Sequence, residues 1–379
     1  MKSPDKKKDL LLIVNEDSFF LSHRQRVAEL ALEKGWNVTI AAKDTGKRPV
    51  IELQGFNFIP LPINPTGMNF SEEIKLLYFL VKLFRQNPNA VIHLVGLKNM
   101  LWGGLASKIV GKQSVLFAVS GLGTLFGEKK SDFISNTILN LLKFGIKGKN
   151  RALIFQNKED EALFRSKGIC KDVDTHYIKG SGVSLKEFSV PKVENNSDKL
   201  RVIFTGRMLK EKGIEDLISA AELLRNKYEE KVEFLLCGDI TENKDSFTKE
   251  ELEKLCDGNY VKWVGFREDI PFLLMQSDVM CFPSYYREGV PKSLLEASAA
   301  SLPIITTDSV GCRDTVENNK NGFLVPIHSP ESLAVSLERL IENRELRLKM
   351  GSYSRKKAER EYDVEEVARR HLSIYESLL

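Results

Sequence analysis

Short apolar segments that alternate with helical segments dominate this sequence, and the alternation occurs twice along the chain. Each segment has the length and composition of a buried strand. Strands that alternate with helices form parallel sheets covered on both faces, so the pattern predicts two α/β domains. The strand-like runs are Leu10–Val14, Val38–Ala42, Val91–Val95, Ser114–Val119 and Ala152–Gln156, then Arg201–Phe204, Val232–Cys237, Val261–Val264, Val279–Pro283 and Pro303–Thr307.

A polar segment at 184–199, with one proline and two asparagines, separates the two series of strands. We therefore predict one domain over residues 1–190 and a second over residues 191–360. The amphipathic segment 361–379 predicts a helix that packs across the junction of the domains. Ligands of such domains bind at the carboxyl ends of the parallel strands, so a cleft between the domains is the expected site.

Composition excludes several classes of protein. The 379 residues are 42% hydrophobic and 28% charged, as in globular proteins. No apolar run approaches the roughly 18 residues that span a bilayer. Only about five apolar residues follow Lys6–Lys8, which predicts a first strand and not a signal peptide. Five scattered cysteines without a Cys-x-x-Cys pair predict reduced thiols, neither disulfides nor a zinc site. A cytoplasmic protein is expected.

Charge is divided unequally along the chain. Residues 1–195 contain 29 Lys and Arg against 19 Asp and Glu, whereas the remainder contains 27 against 33. The basic excess predicts that the first half faces an anionic partner. Because helical patterns at 71–86 and 131–149 combine apolar and basic residues, an anionic membrane surface is expected and nucleic acid is not. Core packing is the alternative role of these two helices.

Glu288 and Glu296 bracket a loop that follows an apolar strand and opens a helix at Lys292. Such a loop offers backbone N–H groups and a helix N-terminus to a phosphate. The two carboxylates could hold hydroxyl groups on either side of it. This layout matches the sugar, pyrophosphate and ribose of a nucleotide sugar. Solvated charges on a helix are the alternative.

Arg207 and Lys212 follow another strand and precede a helix. The guanidinium offers a planar fork of donors and the ammonium a compact charge. Two cations at a strand end can bind a diphosphate through strong charge-assisted hydrogen bonds. In a transfer reaction they would stabilise the negative charge that develops on the diphosphate as it leaves. A basic surface turn is the alternative.

These two motifs belong to a larger group of motifs. In chain order they are Gly121–Phe126, Ile154–Asp160, Gly180–Val183, Gly206-Arg207 with Lys212-Gly213, Trp263–Pro271, Pro283-Ser284, Glu288–Ala297, Leu302-Pro303 and Gly322–Pro326. The ordered set resembles the family-4 retaining glycosyltransferases of the GT-B fold, in the branch that builds bacterial surface polysaccharides and lipid-linked oligosaccharides. The resemblance covers residues 10–375. It implies two Rossmann-like domains that face a cleft, with the C-terminal helix crossing back to the N-terminal domain.

By position, the resemblance implies that Arg207 and Lys212 grip the donor diphosphate and that Glu288 holds the donor sugar, which makes these three the predicted catalytic residues. Glu296 would bind the ribose. The other predicted donor-binding residues are Gly206, Phe266, Arg267, Gly289, Val290, Pro291 and Leu295.

Acceptor-binding residues are predicted in the first domain. A helical pattern over Leu21–Lys34 places His23-Arg24 where they could meet an acceptor phosphate, although a buried, satisfied His is the alternative. Lys98 follows a strand and is expected to face the same cleft. The full predicted acceptor set is His23, Arg24, Lys98, Gly121, Gly123 and Asn157.

The resemblance implies a retaining enzyme of cell-surface glycan biosynthesis. It would move a hexose or N-acetylhexosamine from a UDP-linked sugar to a polyprenyl-diphosphate-linked saccharide, peripherally at the inner face of the cell membrane. No metal or other cofactor is expected, because Arg207 and Lys212 supply the positive charge. The alternatives are a UDP-sugar epimerase of the same fold and a nucleotide-sugar-binding module without catalysis.

The sequence departs from the family at two places. Ser120-Gly121 stands where many relatives carry a His, and the first loop, Asn15–Phe20, lacks their glycine pair. Close approach of that loop to a donor phosphate is therefore not expected. Asp172-Val173-Asp174 matches the metal motif of a different glycosyltransferase fold, but it is predicted to be a structural polar loop.

Overall fold

The computed structural model describes residues 8–65, 69–111, 113–122, 132–171, 173–189 and 199–379, with the side chains of 132–134 excepted. It contains two compact units. One comprises residues 1–181 together with 364–379, and the other comprises residues 182–363. The chain passes between the units at 181 and at 363, whereas the predicted boundaries lie at 190 and 360.

A seven-stranded parallel sheet forms the centre of the first unit. The strand order is β3-β2-β1-β4-β5-β6-β7. In the central register, Leu12 lies opposite Ile40 on one side and His93 on the other. The strands are β1 Lys8–Glu16, β2 Trp36–Lys43, β3 Asn57–Pro60, β4 Val91–Val95, β5 Ser114–Val119, β6 Arg151–Phe155 and β7 Asp174–Tyr177.

Helices cover both faces of this sheet. Leu10 and Leu12 point into a core shared with α2, whereas Leu11 and Ile13 point into a second core shared with α4, α5, α6 and α7. Side chains alternate across a strand, so one strand supplies both cores. The helices are α1 Asp17–His23, α2 Gln25–Glu33, α3 Arg48–Leu53, α4 Phe70–Gln86, α5 Leu97–Val110, α6 Asp132–Ile146 and α7 Lys158–Ser166.

The second unit has a six-stranded parallel sheet with the order β10-β9-β8-β11-β12-β13. Its strands are β8 Leu200–Thr205, β9 Val232–Cys237, β10 Val261–Trp263, β11 Val279–Phe282, β12 Ile304–Thr307 and β13 Gly322–Val325. Its helices are α8 Ile214–Tyr228, α9 Lys249–Leu255, α10 Ile270–Met275, α11 Lys292–Ala299, α12 Pro330–Glu342 and α13 Arg344–Glu361, with 3₁₀ turns at Leu185–Phe188, Lys210–Lys212 and Arg313–Thr315.

The final helix, α14 (Val364–Ser377), returns to the first unit and packs against α2. Tyr375 is buried there, with its ring 5.9 Å from that of Trp36 and its hydroxyl 2.8 Å from Nδ1 of His93. Two parallel-sheet domains and a C-terminal helix that crosses back to the N-terminal one are therefore confirmed.

One predicted helix is divided in two. The pattern over Leu21–Lys34 predicts a continuous helix, but α1 ends at His23 and α2 starts at Gln25. Between them Arg24 leaves the helical region, with φ −132° and ψ −6°. Its side chain is buried, and Nη1 donates to the carbonyl of His23 at 2.8 Å. The break therefore turns a cation inward beside α14.

Two buried histidines make the first unit sensitive to acid. His371 lies near His93, Arg24 and Tyr375, and burial, followed by the nearby positive charge of Arg24, lowers its pKa to about 3. Burial also lowers the pKa of His93 well below its usual range. An unfolded histidine titrates near 6.5. Below pH 6.5 the histidine is protonated in the unfolded chain but stays neutral in the folded protein. The contribution of neutral His371 to the free energy of unfolding, which is present above pH 6.5, is therefore lost as the pH falls.

We expect this loss to reach about 2 kcal/mol at pH 5 for His371 alone. Urea unfolding of the wild type and of His371→Phe at pH 7.5 and pH 5 measures it. The free energy of unfolding should fall between pH 7.5 and pH 5 by about 2 kcal/mol less in the variant than in the wild type, whatever the absolute stability of the variant. Equal differences would show that His371 is not buried as a neutral group.

Candidate active site

The second unit brings Lys212 and Glu288 together at the carboxyl edge of its sheet. Lys212 follows β8, Glu288 follows β11, and these strands are neighbours. Nζ of Lys212 and Oε1 of Glu288 form an ion pair whose side chains are only 10% and 14% exposed. Lys212 and Glu288, which two separate motifs predict to be catalytic, therefore form one ion pair.

Aromatic rings enclose the ammonium group of Lys212. Its Nζ lies 5.2 Å from the ring centre of Phe282 and 5.7 Å from that of Tyr286. Ring faces attract a cation more strongly where water is excluded. Burial, followed by the nearby carboxylate of Glu288, raises the pKa of the Tyr286 phenol, so the ring remains neutral at physiological pH. Neither aromatic residue was predicted to belong to the site.

Backbone contacts fix the two loops to each other. The carbonyl of Glu211 accepts from the amides of Tyr285 and Tyr286, each at 3.1 Å, and from Oγ of Ser284 at 3.3 Å. Gly213 has φ +73°, and a Cβ there would lie 2.1 Å from the carbonyl oxygen of Pro283. Glycine is therefore required where the Lys212 loop crosses the Glu288 loop.

A third loop, which follows β12, packs against the backbone of the loop that carries Glu288. Gly311 has φ +83°, and a Cβ there would lie 2.1 Å from the carbonyl oxygen of Gly289 and 2.8 Å from that of Glu288. On the same side, Oγ of Ser309 donates to the carbonyl of Ser284 at 2.9 Å, and Thr307 donates to the same oxygen. The position of Glu288 thus depends on β12 and the residues that follow it.

Glu296 lies in the second turn of α11, beside Lys292 at 3.1 Å. Burial raises the pKa of Glu296, and the ammonium of Lys292 opposes that rise. A carboxylate with one cationic neighbour keeps acceptor positions for two adjacent hydroxyl groups. The predicted ribose role fits this environment. The preceding residues Gly289, Val290 and Pro291 are buried, as is Leu295 within the helix.

Arg207, Phe266 and Arg267 present exposed side chains. The guanidinium of Arg207 makes no hydrogen bond or ion pair with another described residue, so it is available to a ligand. The ring of Phe266 is largely exposed, as a surface for stacking would be. Arg267 forms a two-pronged ion pair with Asp269, at 2.8 and 2.7 Å. Gly206 directly follows β8, and its amide donates to the carbonyl of Cys237 at 2.9 Å.

An open cavity of about 680 Å³ lies at the carboxyl ends of β12 and β13. It adjoins the Glu288 loop through Tyr285 and Arg287. Leu324, Val325 and Pro326 belong to the motif Gly322–Pro326, but the cavity itself was not predicted, because its lining comes from four separated stretches of the sequence. The lining residues are Tyr285, Arg287, Asp308, Ser309, Val310, Arg313, Asn318, Leu324, Val325, Pro326 and Ile327.

In the first unit, predicted acceptor residues lie after β4 and β5 and at the end of α1. Nζ of Lys98 donates to the carbonyl of Asn64 at 2.7 Å and pairs with Glu73 at 2.5 Å. Gly121 follows β5 by two residues. The ring of His23 stacks on Phe19, with centroids 4.3 Å apart. These positions leave the acceptor role of Lys98, Gly121 and His23 as a proposal.

Arg24 and Asn157 occupy structural positions. Arg24 is buried, so it does not present its charge to a ligand. Asn157 is buried at the N-cap of α7, where its side chain accepts from the amide of Asp160 at 2.8 Å. Gly123 lies outside the described residues, as does Asp172. Asp174, predicted to be in a loop, instead starts β7 and lies 3.0 Å from His176.

Comparison with known proteins identifies both halves. The family model "Glycosyl transferase 4-like" matches residues 9–157, and "Glycosyl transferases group 1" matches residues 186–357. Together these matches cover most of the chain and include the loops that carry Arg207, Lys212 and Glu288.

Two relatives and one solved structure extend this result. The N,N'-diacetylbacillosaminyl-diphospho-undecaprenol alpha-1,3-N-acetylgalactosaminyltransferase of Campylobacter jejuni is 26% identical, across 86% of this chain and 87% of the relative. The UDP-Gal:alpha-D-GlcNAc-diphosphoundecaprenol alpha-1,3-galactosyltransferase of Escherichia coli is 24% identical, with the same coverage.

Anabaena HepE, solved in complex with UDP and glucose, superposes with a TM-score of 0.78 at 19% identity, across 98% of this chain and 100% of that one. The likeness confirms the GT-B fold. The chain therefore belongs to the glycosyltransferases, with a glycosyl transferase 4-like domain followed by a group 1 domain.

Proposed function

We propose that this glycosyltransferase moves a hexose or N-acetylhexosamine from a UDP sugar to a polyprenyl-diphosphate-linked saccharide, with retention of anomeric configuration. The observation that carries the proposal is the shielded Lys212–Glu288 pair at the carboxyl edge of the second sheet. A cation and a carboxylate side by side can hold a sugar diphosphate at both of its ends.

The proposed reaction starts with exchange of partners at Lys212. The donor diphosphate takes the place of Glu288 on the ammonium group, and the exposed guanidinium of Arg207 binds the same phosphates. Glu288 is then released to hold hydroxyl groups of the sugar. The bond from the sugar carbon to the diphosphate oxygen breaks, and a bond to the acceptor oxygen forms on the same face. The acceptor proton passes to the departing diphosphate, whose growing charge the two cations stabilise.

The proposed substrates derive from the relatives. The Campylobacter and Escherichia enzymes are named for acceptors linked to diphospho-undecaprenol, and the latter for a UDP-linked donor. The HepE structure contains UDP. We propose that Glu296 binds the ribose of UDP and that Phe266 and Arg267 lie near the base. In the first unit His23, Lys98 and Gly121 are proposed to meet the acceptor.

We also propose that the enzyme works peripherally at the inner face of the cell membrane, where a polyprenyl-linked acceptor is held. The basic excess of residues 1–195 supports attraction to anionic lipid. None of the helices in the described ranges is both long and apolar enough to cross a bilayer.

Thermal shift of the purified protein with UDP, GDP and ADP sugars, without added metal, tests the donor proposal. A ligand at a hundred times its dissociation constant adds about 2.7 kcal/mol of stability. We expect a selective shift with one UDP sugar, and its loss in Glu296→Ala. Glu253→Ala, which removes an exposed helical carboxylate, is the matched control and should keep the shift.

Two outcomes would redirect the assignment. Conversion of the UDP sugar to its epimer without any acceptor would favour the epimerase alternative. Selective donor binding without transfer to any diphosphate-linked saccharide would favour a module that binds without catalysis.

A further inference from the structure

Helix α4 carries an exposed apolar ridge on its outer side. Phe70, Ile74 and Tyr78 are 78%, 49% and 72% exposed. Their spacing of four residues places them one above another on one side of the helix. The ridge is about 12 Å long. On the opposite side, Leu76, Leu80 and other side chains fill the core of the first unit.

The basic residues of α4 flank this ridge. Lys75, Lys82 and Arg85 are exposed and make no hydrogen bond or ion pair with another described residue. The two carboxylates of the helix are withdrawn from this face. Glu73 is buried against Lys98, and Glu72 is half-buried and accepts from Nδ2 of Asn64 at 3.2 Å. The exposed side of α4 therefore combines apolar groups with basic groups that no carboxylate of the described residues neutralises.

The neighbouring helices continue the same character. α5 packs between α4 and α6, and it contains no acidic residue. On α6, Phe144 is largely exposed beside the exposed Lys143, and Lys147, which follows the helix, is also exposed. Nζ of Lys108, from α5, lies 5.5 Å from the ring centre of Phe144. The apolar and basic surface therefore extends across three adjacent helices.

We infer that the exposed side of α4 docks the first unit on an anionic lipid bilayer. Phe70, Ile74 and Tyr78 enter the boundary between head groups and acyl chains, and the basic side chains contact lipid phosphates. An apolar ridge flanked by Lys and Arg matches such an interface in both hydrophobicity and charge. A second copy of the same face is a poor match, since it would oppose cations with cations.

The inference extends the proposed use of a lipid-linked acceptor, but its test does not require activity. The full-length protein is sedimented with vesicles of phosphatidylcholine, with or without about one third phosphatidylglycerol, at low and high salt. We expect about tenfold stronger binding to the anionic vesicles, reduced by salt. Phe70→Ser, Ile74→Ser and Tyr78→Ser combined should lower the bound fraction about tenfold.

A matched control replaces three exposed apolar residues elsewhere, Leu53→Ser, Leu223→Ser and Val335→Ser, and should bind like the wild type. An unchanged far-UV circular dichroism spectrum and an unchanged thermal unfolding midpoint verify that each variant is folded. Equal binding of the α4 variant and the wild type, or equal binding to neutral and anionic vesicles, would overturn the inference. A wild-type dimer that the α4 variant loses would assign the face to a second copy.

Transfer assays separate this inference from the proposed function. With a short-chain, water-soluble acceptor the α4 variant should keep the wild-type rate, whereas with a long-chain acceptor in vesicles its rate should fall. Vesicle binding without transfer to either acceptor would retain the docking surface and reject the proposed reaction.

Discussion

Lys212→Met is expected to reduce sugar transfer by roughly a thousandfold, because it removes a preorganised cation from the leaving diphosphate. The variant should also lose about 3 kcal/mol of stability, because Glu288 is left as a shielded carboxylate without its partner. Steady-state transfer assays and urea unfolding measure the two effects. The double variant Lys212→Met with Glu288→Gln should recover most of the stability and remain inactive, which separates the catalytic loss from the folding loss.

Lys210→Met is the matched control for this prediction. Lys210 lies in the same 3₁₀ turn, but its side chain is exposed and pairs with Glu251 at 3.1 Å. Exposed pairs contribute little, so we expect stability within about 1 kcal/mol of the wild type and nearly normal transfer. Equal losses in the Lys210 and Lys212 variants would show that both changes act through the backbone of the turn, and not through the ammonium group of Lys212.

Gly311→Ala should have the second largest effect. Its Cβ would meet the carbonyl oxygens of Gly289 and Glu288 at 2.1 and 2.8 Å, so the loop that carries Glu288 must move. A displacement of about 1 Å in a catalytic group can cost a hundredfold in rate. We expect at least that loss in transfer, together with about 3 kcal/mol or more in the stability of the second unit.

Gly258→Ala provides the comparison that isolates the clash. Gly258 also has a left-handed backbone, φ +74°, but apart from its chain neighbours no atom of the described residues lies within 4 Å of the position of its Cβ. It should lose only about 1–2 kcal/mol from backbone strain and keep wild-type transfer. If the two alanine variants behaved alike, strain at positive φ would explain both, and the supporting role of Gly311 would be rejected.

The strands that the sequence did not reveal are all at sheet edges. β3 and β7 bound the first sheet, and β13 bounds the second. Their segments are short, and β7, Asp174–Tyr177, is largely polar. An edge strand has one neighbour and more solvent, so it lacks the long apolar run that identifies a buried strand. The central strands were predictable because helices cover both of their faces.

Within the site, the sequence predicted which loops matter better than it predicted side-chain surroundings. Glu288 and Lys212 were recognisable from residue type and from their positions after strands. The enclosure of Lys212 by Phe282 and Tyr286 was not, because apolar and aromatic residues next to a strand ordinarily predict core. Arg24, in contrast, was predicted to bind the acceptor but does not face a ligand. A basic residue after the first loop was expected to meet an acceptor, yet the backbone break turns its side chain inward.

The return of α14 to the first unit has a consequence for the order in which a ribosome makes the protein. Residues 182–363 form one continuous unit that can fold as soon as it has emerged, whereas the first unit lacks Tyr375, the partner of Trp36 and His93, until helix α14 is made. At a synthesis rate of about 10 residues per second, roughly 20 s pass between the synthesis of residue 181 and that of Tyr375. The half of the protein that is synthesised first is therefore the half that matures last, and nascent-chain chaperones have most to protect along its uncovered face.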